Sequence, residues 1–274
     1  MGKKIKKGTL YFIAIMWAVI VILPFLWALR ISLIPTYTTF VSFFPKSLTE
    51  LSFVNYKYLL FRTNFPRWMI NSMLVSGGAT VLNVLACSML GYVLARKRLP
   101  GTNAIFTLVL ALLMVPYHIL VIALYLGLSR VHLTNSLFGV ILPLSANAFG
   151  VFLMRQYIMM IPSSYEEAAL VDGCSRIGAL FRIVLPQALP AIGILTVTMF
   201  METWNNFILP LVMLTRDSMK TVTVGIAGLA FQTLNTNWGV LMAGSLLGAV
   251  PTVLVFVLFN RYFLRGLTLH GGLK

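Results

Sequence analysis

Apolar residues run through this chain in six long blocks, each reaching or exceeding the roughly 20 residues a helix needs to cross bilayer hydrocarbon. The blocks cover about Leu10–Ile34, Trp68–Leu94, Asn103–Leu128, Asn135–Tyr157, Gln187–Leu214 and Asn237–Phe263. Charged residues gather between them. The pattern predicts six membrane-spanning helices and an all-α, polytopic architecture. Trp68, Tyr157 and Trp238 stand near block ends, where amphipathic rings suit the headgroup layer.

Composition agrees with the pattern. Apolar residues make up 59% of the 274 positions, charged residues only 10%, and the mean hydropathy is +0.92. Soluble domains run about 45–50% apolar and about 25% charged. The N-terminus carries Lys3, Lys4, Lys6 and Lys7 before an uncharged run from Gly8 to Leu29. That run is too long for a signal-peptide core and lacks a small-residue cleavage site, so it reads as a retained first helix. The net charge of +15 does not form the soluble basic stripe of a nucleic-acid binder. Cys87 and Cys174 offer neither a disulfide framework nor metal-ligand spacing.

The excess of Lys and Arg orients the chain. With the N-terminus inside, residues 3, 4, 6, 7, 96, 97, 98, 155, 176, 182, 261, 265 and 274 fall on the inner side, and 30, 46, 57, 62, 67, 130, 216 and 220 on the outer. That is 13 against 8 of the 21 basic residues, with both termini cytoplasmic. Two outer segments exceed simple turns: residues 35–66, with Pro35, Pro45 and Pro66, and residues 215–236, with a short apolar piece at Val222–Phe231. Each reads equally as a contact for a soluble partner or as a lid on the helix ends.

The inner loop at residues 162–186 carries the most specific information. Pro162-Ser163-Ser164 is a helix-start signal, with Ser163 or Ser164 available to cap and Glu166 or Glu167 in the first turn. About two turns later Gly173 suits a helix end. A second helical piece bearing Ile177, Leu180, Phe181 and Val184 is expected to stop before Pro186. Taken alone, this is a surface helix–turn–helix. The spacing adds more: Glu167-Ala168-Ala169, three residues, Gly173, nine residues, then Ile183-Val184-Leu185-Pro186 resembles the EAA loop of ABC-importer permeases.

Two further stretches resemble the MalG-type carbohydrate branch of that family: Trp204-Asn205-Asn206-Phe207-Ile208-Leu209-Pro210-Leu211, and Arg261 to Thr268 at the start of a C-terminal tail, 264–274. The tail's end, Leu269-His270-Gly271-Gly272-Leu273-Lys274, departs from the commoner ending. The resemblance implies a type I ABC-importer permease fold in which the loop forms a cytoplasmic coupling helix. Glu166, Glu167, Ala168, Ala169, Gly173, Ile183, Leu185 and Pro186 would then form the ATPase-coupling set, with small residues allowing close approach and Glu167 as polar anchor. It also implies a second, MalF-like permease subunit, two ATP-binding-cassette ATPase subunits and an extracytoplasmic solute-binding protein, in a cytoplasmic membrane. ATP and Mg would be bound by the ATPase and no cofactor by this chain.

Glu202 is the only acid within an expected span, where a charge costs about 2.5–3.5 kcal/mol on insertion scales. Thr198, Glu202, Asn205 and Asn206 fall at i, i+4, i+7 and i+8, on one helical face. Lipid cannot satisfy that face, so it looks toward a partner helix or a watery path. As a path it would offer hydrogen bonds to sugar hydroxyls, with Trp204 near enough to stack on a sugar ring; as packing it would be interhelical glue. Gly244 and Gly248, with Gly239 and Ala243, suit close helix packing. Pro24, Pro116 and Pro143 suit bends, while His118, Asn71, Asn83 and Asn147 suit hydrogen-bonded packing.

These features point to a permease subunit importing a carbohydrate. A permease for another solute stands second and an ion-coupled transporter third, since Glu202 alone would have to couple the ion. The chain lacks the G-x-x-x-x-G-K-[ST] phosphate loop, so it has no catalytic residues of its own and ATP must be hydrolysed elsewhere.

Overall fold

A computed structural model describes residues 2–35, 51–96, 100–231 and 237–268. The Lys97–Arg98 part of the basic cluster, residues 36–50 and 232–236, and the tail beyond Thr268 lie outside the described residues. Every regular element among the described residues is helical, in the order α1 (Gly2–Ser32), α2 (Val54–Arg62), α3 (Phe65–Arg96), α4 (Thr102–Leu112), α5 (Tyr117–Arg130), α6 (Leu137–Leu144) and α7 (Ala148–Met160). There follow α8 (Ser164–Val171), α9 (Arg176–Ala179), a π-turn (Leu180–Val184), α10 (Leu185–Gln187), α11 (Leu189–Trp204), α12 (Ile208–Met213), a 3-10 turn (Asp217–Met219), α13 (Val222–Phe231) and α14 (Trp238–Thr268).

Three helices are long and apolar enough to cross a bilayer unaided, within Gly8–Ser32, Phe65–Arg96 and Trp238–Phe259. Three more candidates are bent pairs: α4 with α5 at 104°, α6 with α7 at 45°, and Arg176–Gln187 with α11 at 79°. The expected third and fourth blocks are therefore broken rather than continuous, and the third pair bends at the start of the expected fifth block. Each break has a local cause. Pro116 precedes α5 with ψ 120° and has no N–H to continue a helix. Asn147 leaves helical geometry and accepts from the Gly150 N–H at 2.8 Å, capping α7. Pro190 stands at the start of α11.

The expected stop before Pro186 is not observed. The chain stays helical through Gln187, with the Leu185 N–H reaching back to the Leu180 carbonyl in a π-turn. The wider turn falls where Pro186 has no N–H to offer, and the bend comes at Ala188 instead. The fifth block ends its long helix at Trp204 and restarts at Ile208. Val222–Phe231, read as a short apolar piece, is a helix over those residues.

The chain divides into two compact units, Met1–Arg67 with Val224–Val250, and Trp68–Thr223 with Pro251–Lys274. In the first, buried Asn55 donates to the Ser32 and Ile34 carbonyls at 2.9 Å each, supplying partners to the otherwise orphaned end of α1. Tyr56 and Ser32 hydroxyls meet at 2.7 Å. Gly239 lies so close that a Cβ there would come within 2.8 Å of the Asn55 Cγ, and Gly244 faces Ile226 and Leu59. These small residues do admit close packing, as expected.

In the second unit, Met154, Ile158, Val184, Ala188, Ala191 and Leu195 are wholly buried and join α7 to the π-turn and α11. A separate cluster joins Val75 and Ala79 of α3 to Val121, Val140, Leu144, Leu209 and Met213. The expected packing asparagines hold backbone: Asn71 donates to the Ser218 and Lys220 carbonyls at 2.9 and 3.0 Å, and Asn83 to that of Ser145 at 2.7 Å. His118 differs, being exposed with its ring edge-on to Tyr117.

Gly239→Val is expected to destabilise the first unit by about 1–3 kcal/mol, the usual cost of overpacking. A lower thermal midpoint of the purified protein in detergent, without loss of membrane insertion, checks it.

Candidate functional site

The expected site residues fall in two places: α8 with its surroundings, and the end of α11.

The α8 segment begins after Pro162, but neither serine caps it with its side chain. Ser163 is itself helical, and its carbonyl accepts from the Glu166 and Glu167 N–H groups at 3.0 Å each. The serine cap appears one helix later, where the Ser175 hydroxyl accepts from the Gly178 N–H at 3.1 Å. The far end matches expectation closely. Gly173 adopts φ +85°, its N–H reaches the Leu170 carbonyl at 3.1 Å, and the Cys174 N–H reaches that of Ala169 at 2.9 Å. This pair of bonds is a Schellman motif, and it demands a left-handed residue at position 173.

The two adjacent glutamates point to opposite sides. Glu166 is only 7% exposed. One of its carboxylate oxygens accepts from Arg96 Nε at 2.5 Å and the other from the Tyr92 hydroxyl at 3.0 Å. Arg96 also donates to the Ile161 carbonyl at 2.6 Å, so α3, α8 and the turn before it share one buried network. Losing one partner of such a pair costs about 3–5 kcal/mol, because the other charge is left uncompensated. Glu166, expected as a member of the ATPase-coupling set, thus has its carboxylate engaged inside this chain.

Glu167, Ala168, Gly173 and Pro186 are exposed, whereas Ala169, Ile183 and Leu185 are half-buried, with Leu185 packed against the core. Around the exposed residues stand Tyr165, Leu170, Val171, Ile177 and Phe181, all exposed, Val171 at 87%. Exposed apolar patches rimmed by polar residues mark protein or membrane contact sites.

At the other place, the two asparagines read as one polar face instead punctuate the chain. Asn205 donates to the Met201 carbonyl at 2.8 Å and closes α11, while the Asn206 side chain accepts from the Leu209 N–H at 3.3 Å and opens α12. The Thr223 hydroxyl donates to the Asn206 carbonyl at 3.1 Å. Thr198, Glu202 and Asn205 are exposed on one side of α11 and Asn206 is half-buried. Trp204 lies on the opposite side, 3% exposed and stacked on Phe200 with centroids 5.6 Å apart, so it is not available to a sugar ring.

Sequence reasoning missed Asn147 as part of this place. Its amide approaches a Glu202 carboxylate oxygen at 3.5 Å, and its carbonyl lies 3.5 Å from the Cys87 thiol. The signal was available, since Ser145-Ala146-Asn147 interrupts an apolar block with cap-forming residues. Among the described residues Glu202 has no Lys or Arg in ion-pair range. Chemically, the Glu202 carboxylate, the Asn147 amide and the Thr198 hydroxyl can accept from and donate to hydroxyl groups; they form neither a nucleophile–base pair nor a metal cluster.

Residues 88–268 match the family model described as binding-protein-dependent transport system inner membrane component. The chain is similar to the arabinooligosaccharides transport system permease protein AraQ of Halalkalibacterium halodurans, 37% identical over 233 residues covering 85% of this chain and 82% of the relative. It is 34% identical over 251 residues to the diacetylchitobiose uptake system permease protein NgcG of Streptomyces coelicolor, covering 90% and 82%. It is 31% identical over 283 residues to the trehalose/maltose transport system permease protein MalG of Thermococcus litoralis, covering 100% and 99%. Its fold is similar to a chain in the crystal structure of a bacterial ABC transporter involved in the import of the acidic polysaccharide alginate. There the TM-score is 0.84 at 19% identity, over 96% of this chain and 98% of that one.

Gly173→Ala forces an L-residue into left-handed geometry, which costs roughly 1–2 kcal/mol. Faster hydrogen exchange at the amides of residues 173 and 174, with the rest of α8 less affected, is the expected outcome.

Proposed function

We infer the role of this chain from the family to which it belongs, the binding-protein-dependent inner membrane components that serve as permeases in sugar ABC transport systems. Its relatives are permeases and not enzymes. It acts as one permease subunit of an importer that carries an oligosaccharide or sugar derivative across the cytoplasmic membrane, driven by ATP hydrolysis in a separate subunit. Six spans, three of them bent, form the permease domain over residues 1–274, with residues 162–186 as the coupling loop. Both termini are cytoplasmic.

The observation that carries this reading is α8: an exposed short helix with an outward Glu167, an apolar rim and a sharply defined end at Gly173. Such a helix between bent spans is suited to dock on an ATP-binding-cassette subunit and to pass its movement to the membrane. Ala168 and Ala169 allow close approach, and Ile183, Leu185 and Pro186 seat the loop against the core. Two ATPase subunits, which bind ATP and Mg, a second MalF-like permease and an extracytoplasmic solute-binding protein complete the assembly. A solute-binding partner is supported by the fold neighbour crystallised with a pentasaccharide-bound periplasmic protein.

The sugar path runs past Thr198, Glu202, Asn205 and Asn206, joined by Asn147. Non-helical backbone at membrane depth is tolerated where it is buried in protein or lines a watery cavity, and the break at residues 205–207 sits at the end of this polar face. Sugar hydroxyls replace water in hydrogen bonds to the carboxylate and amides. Trp204 serves packing rather than sugar contact.

Two experiments test the reading. In liposomes holding the assembled transporter, Glu167→Lys is expected to leave the chain inserted but cut uptake of radiolabelled saccharides about tenfold or more, the size of an ordinary coupling free energy. The panel is arabinotriose, diacetylchitobiose, lactose and trehalose, and normal uptake by the variant would sink the coupling role. Separately, Glu202→Leu is expected to slow uptake while ATP hydrolysis and subunit assembly persist; unchanged uptake would remove Glu202 from the path.

A further inference from the structure

The inner end of α3 is fastened on several sides. Tyr92 and Arg96 stand four residues apart, on one face of its last turns, and both grip Glu166 of α8. At Gly91 the backbone of α3 meets α7 so closely that a Cβ would come within 2.8 Å of the Met154 Cβ and 2.9 Å of the Arg155 nitrogen. Arg155 of α7 donates to the Leu94 carbonyl of α3 at 3.3 Å, and its guanidinium lies 3.8 Å from the centre of the Phe106 ring of α4. Every charged or hydroxyl group in this network is partnered, and Tyr92 and Glu166 are buried.

On α8 the division of labour is by face. Residues 165, 167, 168 and 171 are exposed, while Glu166 is buried and Ala169 half-buried. Glu166 is the only ionised side chain that α8 turns toward its own chain, and it meets a guanidinium and a phenol rather than apolar packing. A charge-assisted pair with a second donor on the same carboxylate fixes orientation as well as distance. Apolar contacts alone would let a two-turn helix slide or rotate.

We propose that Glu166, Arg96 and Tyr92 form a rigid strut that makes α8 and α3 move as one body, with Arg96 as the positioning residue that delivers displacement of α8 to the second span. This rests on the reading of α8 as the ATPase contact. The strut differs from that contact: Glu167 faces the partner, whereas Glu166 and Arg96 act within the chain.

The test uses the full transporter, assembled with its partner subunits in liposomes, with saccharide uptake measured per ATP hydrolysed on the panel above. Arg96→Gln is expected to lower that ratio about tenfold, a typical coupling free energy, while ATPase subunits still co-purify. The charge swap Arg96→Glu with Glu166→Arg is expected to recover most of it. An unchanged ratio in Arg96→Gln overturns the strut. Should the single variant fail to assemble, a second measurement stands alone. Arg96→Cys with Glu166→Cys, in a Cys174→Ser background, is joined by a short thiol cross-linker. A rigid strut predicts that the locked transporter keeps its uptake, whereas loss of uptake on cross-linking means that α8 must move against α3 and overturns the proposal. Glu167→Lys separates the two levels. If it too leaves the ratio unchanged, the reading of α8 as the ATPase contact fails; if it uncouples while Arg96→Gln does not, only the strut fails.

Discussion

Hydrocarbon offers no hydrogen bonds, so each backbone N–H and C=O in a span must find its partner within the protein. That constraint favours helices in the apolar blocks, and it makes each break in such a helix a local problem with a local solution. At residues 145–147 the Asn147 side chain takes up the Gly150 N–H while Asn83 covers the Ser145 carbonyl. At residues 205–207 Asn205 closes one helix and Asn206 opens the next. Outside the apolar blocks the same accounting holds at residues 180–187, where a π-turn carries the Leu185 N–H to the Leu180 carbonyl just ahead of Pro186. Polar side chains within the apolar blocks are therefore spent first on the backbone, and those left over, above all Glu202, are free for chemistry.

Around the C-terminal end of α3 a different logic holds. There the charges pack rather than float: Arg96 and Arg155 each reach across to a neighbouring element, one to a carboxylate and a carbonyl, the other to a carbonyl and an aromatic face. These two basic residues tie α3 to α7, α8 and the turn before α8, and α7 to α4. An element such as α8, with two turns and little apolar burial of its own, gains its fixed place from this network and not from its propensity to be helical.

Much of this was legible in the sequence. Long apolar blocks gave the helices, Val222–Phe231 emerged as a helix over the span of its apolar run, and Gly173 ended α8 as its type and position suggested. The bend at Pro116 was legible from its proline, whereas the breaks at residues 145–147 and 205–207 were missed, because cap residues inside an apolar block pass for packing residues. Trp204 was expected near enough to the polar face to stack on a sugar ring, whereas the helix turns it to the other side, against Phe200. The fate of Glu166 was hidden for a sharper reason. Two neighbouring glutamates are locally equivalent, and only the arrival of Arg96, 70 residues earlier in the chain, distinguishes them.

That distinction has a consequence for substitution. Residue 166 answers to a guanidinium in the same polypeptide, so a change there strands the Arg96 charge unless position 96 changes with it. The Glu167 side chain is exposed and, among the described residues, stands outside that network. Neighbouring positions thus answer to different constraints, and position 167 can be altered while the internal architecture at 166 stays untouched.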